Sequence, residues 1–437
     1  MPTMVTDHNA NALQLLRQEV LGMRARLNTL TPYAMQMPMV AAANVATEAQ
    51  MAIERYMIAK RRELRGLFDR FLASLNALAP TPDNVWQTQR RYAHLKLYFQ
   101  AVLSQFDIFA DVLVQRSQHG MGVWLAGMDA AASDGLRLGR RYFEAPPVIC
   151  YVDRGHGAAI RRARTRLPGG GSSPVAVIRM PRERMVGTGI AASLFHEVGH
   201  QAAAQLDLVN PLRQLLKQRR RMARKYPRAW QVWERCISEI VADLWSVSRA
   251  GISATLGVMS VVSLPRAFVF RVNLDDPHPA PWIRVMLSAA MGDALYPHPQ
   301  WERLQRMWLS MYPKQLMSAG QRQLFEEMEA SMPEFVALLL SFRSASLQGM
   351  SLGDVLRLPD RRPEYLQALW AQWKADQDRL KRAPPALAFA VLGQARAAGL
   401  IGAGQELDLI GRLLGHWALR SYLPDAAQPA IPVAAAA

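Results

Sequence analysis

The segment His196-Glu197-Val198-Gly199-His200 contains the residue types of a hydrolytic metal site. Residues four apart share one face of a helix, so both imidazoles can reach one metal ion. The Glu197 carboxylate then sits where it can take a proton from a water molecule on that ion. A catalytic zinc ion takes a third protein ligand and leaves its fourth position open. The motif therefore predicts a site for one Zn²⁺ at His196 and His200, with Glu197 as the general base.

A second pair of acids at helical spacing, Glu239 and Asp243, follows downstream. HExxH followed by ExxxD resembles the gluzincin peptidases, the thermolysin-like clan. In that clan the glutamate is the third zinc ligand and the aspartate orients a ligand histidine. The resemblance implies that Glu239 binds the metal and that Asp243 orients His196. In the alternative interpretation, Glu239 is a helix-surface acid paired with Arg235, and Asp243 is a solvated acid.

A third element, the sequence DPHPAPWIR at 276–284, contains His278 and Arg284 six residues apart. It resembles the HPxxxxR pattern that follows ExxxD in the CAAX-prenyl-protease and HtpX-like gluzincins. In those families the histidine and the arginine face the substrate. The resemblance implies that His278 or Arg284 stabilises the oxyanion that forms on the substrate carbonyl. Tyr296 is a further candidate for the same role.

A rival to this third element lies close behind it. His298 and Arg303 repeat the Pro-His-Pro context, but they are only five residues apart. We prefer His278 because its spacing to Arg284 fits the pattern. Without a functional role, His278 would be a turn residue between two prolines.

Several elements must position these residues. Hydrophobic residues at helical spacing predict helices over 11–78, with a proline-containing interruption, and over 85–118. Runs rich in β-branched residues predict strands at 147–152 and 175–180. A helix over 185–206 carries HExxH, and most of the remaining chain is also predicted to be helical. The strand at 175–180 precedes the metal helix, where zinc peptidases keep the edge strand that pairs with substrate.

These elements predict an α+β fold that is predominantly α-helical. The resemblance implies a zincin-type catalytic domain with a small sheet, its edge strand at about 175–180, and an active-site helix. Helical regions flank this domain, and the Ala/Pro-rich C-terminus is expected to be disordered. The predicted divisions are an N-terminal helical region at 1–138, the catalytic domain at 139–310, a C-terminal helical region at 311–424 and the tail at 425–437.

The chain of 437 residues is strongly basic, with a net charge of +17. No nucleic-acid-binding motif accompanies the charge, so nucleic acid is not an expected partner. The stretch 213–228, here called the basic segment, contains no acid. Its eight basic residues are Arg213, Lys217, Arg219, Arg220, Arg221, Arg224, Lys225 and Arg228. We interpret the basic segment as a solvated helix face or, alternatively, as a docking site for an acidic partner or substrate.

The compartment is predicted from what the sequence lacks. The first residues do not combine a basic region with an apolar one, so no secretory signal is expected. The uncharged stretch 27–47 contains prolines, and 250–265 is short for a membrane span. Cys150 and Cys236 cannot form a disulfide framework. These features predict a soluble, cytoplasmic protein, unlike the membrane-embedded CAAX-type and HtpX-like families.

Together, the residues and the resemblance predict a zinc-dependent metallopeptidase that hydrolyses protein or peptide substrates. One alternative is a zinc hydrolase of a non-peptide amide. The other is a basic module that binds proteins or nucleic acid and keeps a vestigial metal site. An enzyme requires Glu197, whereas a vestigial binder would tolerate Glu197→Gln. Nucleic-acid binding would weaken steeply as the salt concentration rises.

Overall fold

Helices make up most of the chain, and three short strands form one small sheet. The computed structural model describes residues 2–36, 40–139, 141–154, 157–167, 170–182, 187, 189–273 and 275–427. The strands are β1 (Val148–Asp153), β2 (Ala159–Arg161) and β3 (Ala176–Pro181). This architecture confirms the predicted fold class, a predominantly helical α+β fold.

The helices fall before, between and after the predicted site motifs. Four precede the sheet: α1 (Pro2–Asn28), α2 (Thr47–Leu75), α3 (Pro82–Arg116) and α4 (His119–Leu136). Those that surround the motifs are α5 (Gly189–Gln205), α6 (Val209–Met222), α7 (Pro227–Ala250), α8 (Ile252–Val262), α9 (Arg266–Val269), α10 (Pro281–Leu295) and α11 (Gln300–Met311). The others are α12 (Ala319–Ser341), α13 (Leu352–Leu356), α14 (Pro363–Trp373), α15 (Gln377–Arg382), α16 (Pro385–Ala397) and α17 (Ala403–Ala427).

The sheet has the strand order β1-β3-β2. Strand β1 runs parallel to β3, whereas β2 pairs antiparallel with β3 from Ala159 opposite Arg179 to Arg161 opposite Val177. After β2 the chain turns back, with a bridge between Arg166 and Ser172, and returns as β3. Because β2 covers the outer side of β3, the strand predicted at 175–180 is the central strand and not the edge strand.

The sheet separates two hydrophobic cores. Ile149 and Val177 belong to a smaller core that they form with helices α1, α2 and α3. Cys150 and Ile178, the next residue on each strand, belong to a larger core that contains α5 and α7. Side chains of consecutive strand residues point to opposite faces, which explains the alternation. Both faces of this sheet are therefore buried, and the strands have the continuous apolar sequence that such burial requires.

A buried ion pair connects the N-terminal helices to the sheet. Nη2 of Arg116, at the end of α3, donates to both carboxylate oxygens of Asp129 on α4, at 2.9 and 3.0 Å. The same nitrogen donates to the carbonyl of Cys150 at 2.8 Å, and the Cys150 N–H donates to Asp129. Burial raises the pKa of the Asp129 carboxyl, while the Arg116 guanidinium opposes that rise. Charge and hydrogen bonding offset only part of the cost of burying both groups, because Nε and Nη1 of Arg116 are buried without a hydrogen-bond partner.

The packing does not test the predicted divisions at 139 and 311, which stay predictions. The larger core contains residues from α4 and from α12 through α17 as well as from the predicted catalytic region. Residues 425–427, predicted to be disordered, continue α17 as a helix, because α17 ends at Ala427. The rest of the predicted tail, 428–437, lies outside the described residues.

Among the described helices, α3 has the length and composition that could cross a membrane, with a mean hydropathy of 1.4 over its most apolar window. In the folded chain 39% of that window is buried. Its side chains Phe99, Val102 and Phe106 belong to the smaller core. Core helices of this kind pass the same test, so the described residues contain no clear transmembrane span.

Candidate metal centre

Helix α5 presents the two histidines of HExxH on one face. His196 and His200 are one turn apart, and their Nε2 atoms lie 3.2 Å from each other. The helix is buried from Ile190 to Gly199, which fixes the ring positions. His196 is 8% exposed, whereas His200 is partly exposed and opens the site to solvent. The sequence predicted this pairing of side chains correctly.

Helix α7 brings the Glu239 carboxylate to the same point. Its Oε2 atom lies 3.2 Å from Nε2 of His196 and 3.3 Å from Nε2 of His200. The ligand atoms of these three residues all lie within 4.8 Å of one another, a grouping that could hold a metal ion. Glu239 is 8% exposed and Asp243 is 3% exposed, so neither is the solvated acid of the alternative interpretation.

The close crossing of α5 and α7 depends on Gly199, inside the HExxH motif. A Cβ atom added to Gly199 would lie 2.9 Å from both the Cα and the carbonyl oxygen of Ala242 on α7. Contacts below about 3 Å require backbone to move, so only glycine allows this approach. Ala242 lies between Glu239 and Asp243, and the crossing therefore sets the distance from both acids to the histidines.

Asp243 holds the His196 ring from behind. Its Oδ1 atom lies 2.8 Å from Nδ1 of His196, and a carboxylate can only accept, so Nδ1 carries the hydrogen. Arg284, from the first turn of α10, donates from Nε and Nη2 to the two Asp243 oxygens at 2.7 and 2.8 Å. Arg284 was expected to face the substrate. Its guanidinium instead fixes the carboxylate that orients His196.

His278 reaches the centre from the loop before α10. Its Nε2 atom lies 3.0 Å from Oε2 of Glu239, and its ring stacks on His196 at a centroid distance of 6.4 Å. Asp276 holds the other side of the ring, accepting from Nδ1 at 2.7 Å and from the His278 backbone N–H at 2.9 Å. His278 therefore lies beside the triad with 42% of its side chain exposed, facing solvent.

The HPxxxxR pattern begins at His278 and assigns no role to Asp276. Its position two residues before His278 is the signal that could have found it. An aspartate commonly accepts from the backbone N–H two residues later, and that turn places its carboxylate next to the following side chain. Asp276 thus does for His278 what Asp243 does for His196.

The charged groups of the cluster strongly shift one another's pKa values. Burial disfavours charge on His196, but the Asp243 and Glu239 carboxylates outweigh it and raise the pKa of His196 to about 9. Burial would raise the pKa of Glu239, but contacts with His196, His200 and His278 hold it well below its usual range. The site thus maintains its carboxylates as anions and attracts positive charge, either protons or a metal cation.

Glu197 is 6% exposed and lies in the same electrostatic field. Burial disfavours the charge of Arg284, whereas Asp243 first, and then Glu239 and Glu197, raise the pKa of its guanidinium. Within the described part of the chain, Glu197 makes no hydrogen bond or ion pair. Its carboxylate is therefore free of the contacts that fix Glu239 and Asp243, as a proton acceptor requires.

The remaining candidates lie in other surroundings. The Tyr296 hydroxyl is buried and donates to the carbonyl of Ser248 at 3.0 Å, so this side chain belongs to the hydrogen-bonded core. His298 accepts the Gln300 N–H at Nδ1, and its Nε2 lies 3.8 Å from Glu364. Arg303 is exposed on α11. Of the two Pro-His-Pro elements, the structure brings the one with His278 to the triad.

The chain was compared with protein families, curated proteins and solved structures. No protein-family model, no curated protein and no solved structure matches the chain. The relationship to gluzincins therefore stays a prediction from HExxH, ExxxD and HPxxxxR. The chain itself shows His196, His200 and Glu239 grouped as a candidate metal centre.

Proposed function

We propose that this protein is a zinc-dependent metallopeptidase. One observation carries the proposal: the ligand atoms of His196, His200 and Glu239 converge within 4.8 Å of one another. Nδ1 of His196 is the donor to Asp243, so in neutral His196 the Nε2 atom is an acceptor. It lies 3.2 Å from Oε2 of Glu239, which is also an acceptor. A cation between them relieves this repulsion.

The spacing and the chemistry of the ligand atoms favour zinc. The triad separations are 3.2, 3.2 and 3.3 Å. Two ligands of a tetrahedral zinc ion with bonds of about 2.0 Å lie roughly 3.3 Å apart. Two imidazoles and one carboxylate form a His₂Glu set of catalytic type, with one position left for water or substrate. Magnesium and calcium, by contrast, prefer oxygen ligands.

In such a site the chain's own groups handle the proton and the developing charge. A bound Zn²⁺ acidifies water and polarises a carbonyl group. The Glu197 carboxylate accepts the proton of the attacking water and delivers it to the leaving amine. Asp276 accepts the Nδ1 hydrogen of His278, so in its protonated form His278 can also donate from Nε2 to the oxyanion that develops on the substrate carbonyl. Arg284 acts one step back, through Asp243 and His196.

The sheet supports an extended substrate. Strand β2, like β1, is an edge strand, and its side away from β3 is unpaired among the described strands. The chain just after β2 meets the metal helix, because the Ala163 N–H donates to Gln201 at 2.8 Å. Gln201 follows His200 directly. A peptide that adds to the β2 edge would receive main-chain hydrogen bonds close to the triad, and this favours peptide bonds over other amides.

The proposed compartment is a reducing one such as the cytoplasm. Cys150 and Cys236 are both free and buried. Burial raises the pKa of Cys236 to about 12, which leaves the thiol protonated and unreactive.

Metal analysis and a digest test the proposal. Purified wild-type protein is expected to contain one zinc ion per chain and to cleave an unbiased peptide mixture analysed by mass spectrometry. Glu197→Gln should keep the zinc and lose cleavage by about 10²-fold or more. Glu326→Gln, at an exposed position on α12, is the matched control and should keep both.

Three results would contradict the proposal. Wild-type protein without zinc after reconstitution would remove the metal site. Cleavage of N-acyl amides but of no peptide would favour the non-peptide hydrolase. Full cleavage by Glu197→Gln would exclude Glu197 as the general base.

A further inference from the structure

The basic segment runs from Arg213 in α6 to Arg228 in α7, and most of its charge is not neutralised. The turn between the two helices, at 223–226, and the helix ends beside it form the tip of the α6–α7 hairpin. Arg219 donates to Glu334 at 2.7 Å, and Arg220 lies 3.2 Å from Glu234. Among the described residues, the other six cations of the segment have no ion pair: Arg213, Lys217, Arg221, Arg224, Lys225 and Arg228. The last four of these are exposed at the tip itself. The proposed peptidase reaction uses none of them.

A concave surface lies beneath these charges. A cavity of about 350 Å³ separates the hairpin tip from α12 and is lined by Met222, Arg224, Lys225, Tyr226 and Trp230, among others. Met222 is 70% exposed and Tyr226 is 37% exposed. The Arg219 guanidinium lies 4.9 Å from the centre of the Trp230 ring, which holds it along the wall of this cavity. The cavity therefore has a mixed lining: Met222, Tyr226 and Trp230 supply its apolar part, and Arg219, Arg224, Lys225 and the α12 acid Glu334 supply charge.

The backbone at the tip is held in an uncommon conformation. Tyr226 has a φ of +57°, in the left-handed region that favours glycine. The following residue, Pro227, begins α7, and no acidic residue occurs in the first turn of that helix. The conformation projects Arg224, Lys225 and Tyr226 together from one short turn. Glu334 of α12 lines the same cavity but pairs with Arg219, which leaves Arg224 and Lys225 without an acidic partner among the described residues.

Helix α7 connects the tip to the candidate metal centre. Pro227 and Glu239 are twelve residues apart on the same helix, α7, a distance of about 18 Å at about 1.5 Å per residue. An extended polypeptide covers about 18 Å in roughly five or six residues. A chain bound at the triad could therefore reach the tip with a segment only a few residues from the bond that is cut.

We propose that the α6–α7 tip is an exosite for acidic segments of polypeptide substrates, with an apolar side chain among the acids. This inference rests on the proposed peptidase function. The cations match carboxylates, and the exposed Met222 and Tyr226 side chains can contact an apolar side chain, which a phosphate backbone lacks. A single-stranded nucleic acid would instead use a series of exposed aromatic rings for stacking, and Tyr226 is the one exposed aromatic residue of the basic segment.

Binding is measured on full-length zinc-loaded Glu197→Gln protein, so that no cleavage occurs. The probe is a fluorescent peptide of alternating Glu and Leu residues, followed by anisotropy. Arg224→Glu/Lys225→Glu should weaken binding about tenfold or more, and rising salt should do the same. The control is Arg55→Glu/Arg62→Glu, an equal charge change at two exposed positions on α2, which should change binding less than about twofold.

Several outcomes overturn the exosite. Equal losses in both double variants would reduce the effect to net charge. Tighter binding of a single-stranded oligonucleotide or of phosphatidylserine vesicles than of the peptide, lost with Arg224 and Lys225, would assign the tip to a different partner. Circular dichroism and zinc content verify that each variant is folded.

A cleavage experiment separates failure of the exosite from failure of the peptidase. One peptide substrate is extended with Glu and Leu residues and its twin with Gln and Leu. Wild type should cleave the acidic substrate faster, and Arg224→Glu/Lys225→Glu should lose that preference while it cleaves the twin normally. Equal rates for both substrates overturn the exosite and leave the peptidase intact. Tip-dependent binding without any cleavage supports the docking surface and contradicts the peptidase.

Discussion

Asp243 lies 2.8 Å from Nδ1 of His196 through an oxygen that also accepts from Arg284. The position of Nε2 of His196 thus depends on the Asp243 carboxylate, which Arg284 of α10 holds in place. A chain of three side chains from three helices therefore determines where His196 presents its ligand atom. Its middle member is the most informative one to change.

We expect Asp243→Asn to weaken zinc binding about 10- to 100-fold, because the amide cannot serve both His196 and Arg284 as the carboxylate does. Competition with a fluorescent zinc chelator measures the dissociation constant. Asp293→Asn, at an exposed position on α10, is the control and should bind zinc like wild type. Unchanged affinity in Asp243→Asn would mean that the contact has no part in metal binding.

We expect Glu239→Ala to lose stoichiometric zinc, because it removes one of the three ligand atoms. Elemental analysis checks the metal content, and thermal unfolding checks the coupling to stability. A chelator should lower the melting temperature of wild type, since a ligand present at about 100 times its Kd stabilises the fold by about 2.7 kcal/mol. It should leave the melting temperature of Glu239→Ala unchanged. One tightly held zinc in this variant would show that Glu239 is not a ligand.

We expect His278→Ala to lower kcat about 10²- to 10³-fold while one zinc remains bound, because it removes a donor to the oxyanion. Asp276→Asn should lower kcat less, since the ring stays but loses its anionic partner. His298→Ala is the matched control and should stay within about twofold of wild type. Steady-state kinetics on one peptide substrate decides between them, and the reverse ranking would favour the second Pro-His-Pro element.

We expect Gly199→Ala to destabilise the protein by about 1–3 kcal/mol and to lower zinc occupancy, because its Cβ would collide with the α7 backbone. Urea unfolding gives the free energy, and elemental analysis gives the occupancy. Gly189→Ala is the control on the same helix, since a Cβ there meets nothing within 4 Å. If both variants behave alike, the crossing tolerates a methyl group.

We expect Asp129→Asn to cost about 3–5 kcal/mol of unfolding free energy, because it leaves the buried Arg116 guanidinium without its counter-ion. The metal site lies elsewhere, so the folded fraction should still bind zinc. Chemical denaturation with zinc analysis at low denaturant tests both statements. Asp408→Asn, at an exposed ion pair on α17, should cost about 0–1 kcal/mol.

Much of the site could be predicted because it is encoded locally. His196 and His200 are four residues apart, as are Glu239 and Asp243, and helical geometry puts each pair on one face. The partners of these pairs were harder to predict. The role of Arg284 depends on which face of α10 meets α7, and helix-to-helix orientation is not written in local spacing.

The sheet shows the same limit. The runs at 147–152 and 175–180 are long and β-branched, and both are strands. Strand β2 has three residues, Ala159–Arg161, and no alternating pattern could show it. Because β2 was not predicted, β3 was expected to be the edge strand of the sheet. The error came from the pairing of a short segment and not from the hydrophobic pattern of the longer ones.

The sheet that separates the two cores also constrains how the chain can be divided. The apolar side chains of Ile149, Val175 and Val177 are covered by α1, α2 and α3. A shortened protein that begins near residue 139 would lack these helices. It would expose this apolar face of the sheet, which is opposite the face in the larger core with α5. Such a fragment should self-associate through the uncovered strands even though it retains all three proposed metal ligands. The N-terminal helices therefore keep this apolar face of the sheet out of contact with solvent.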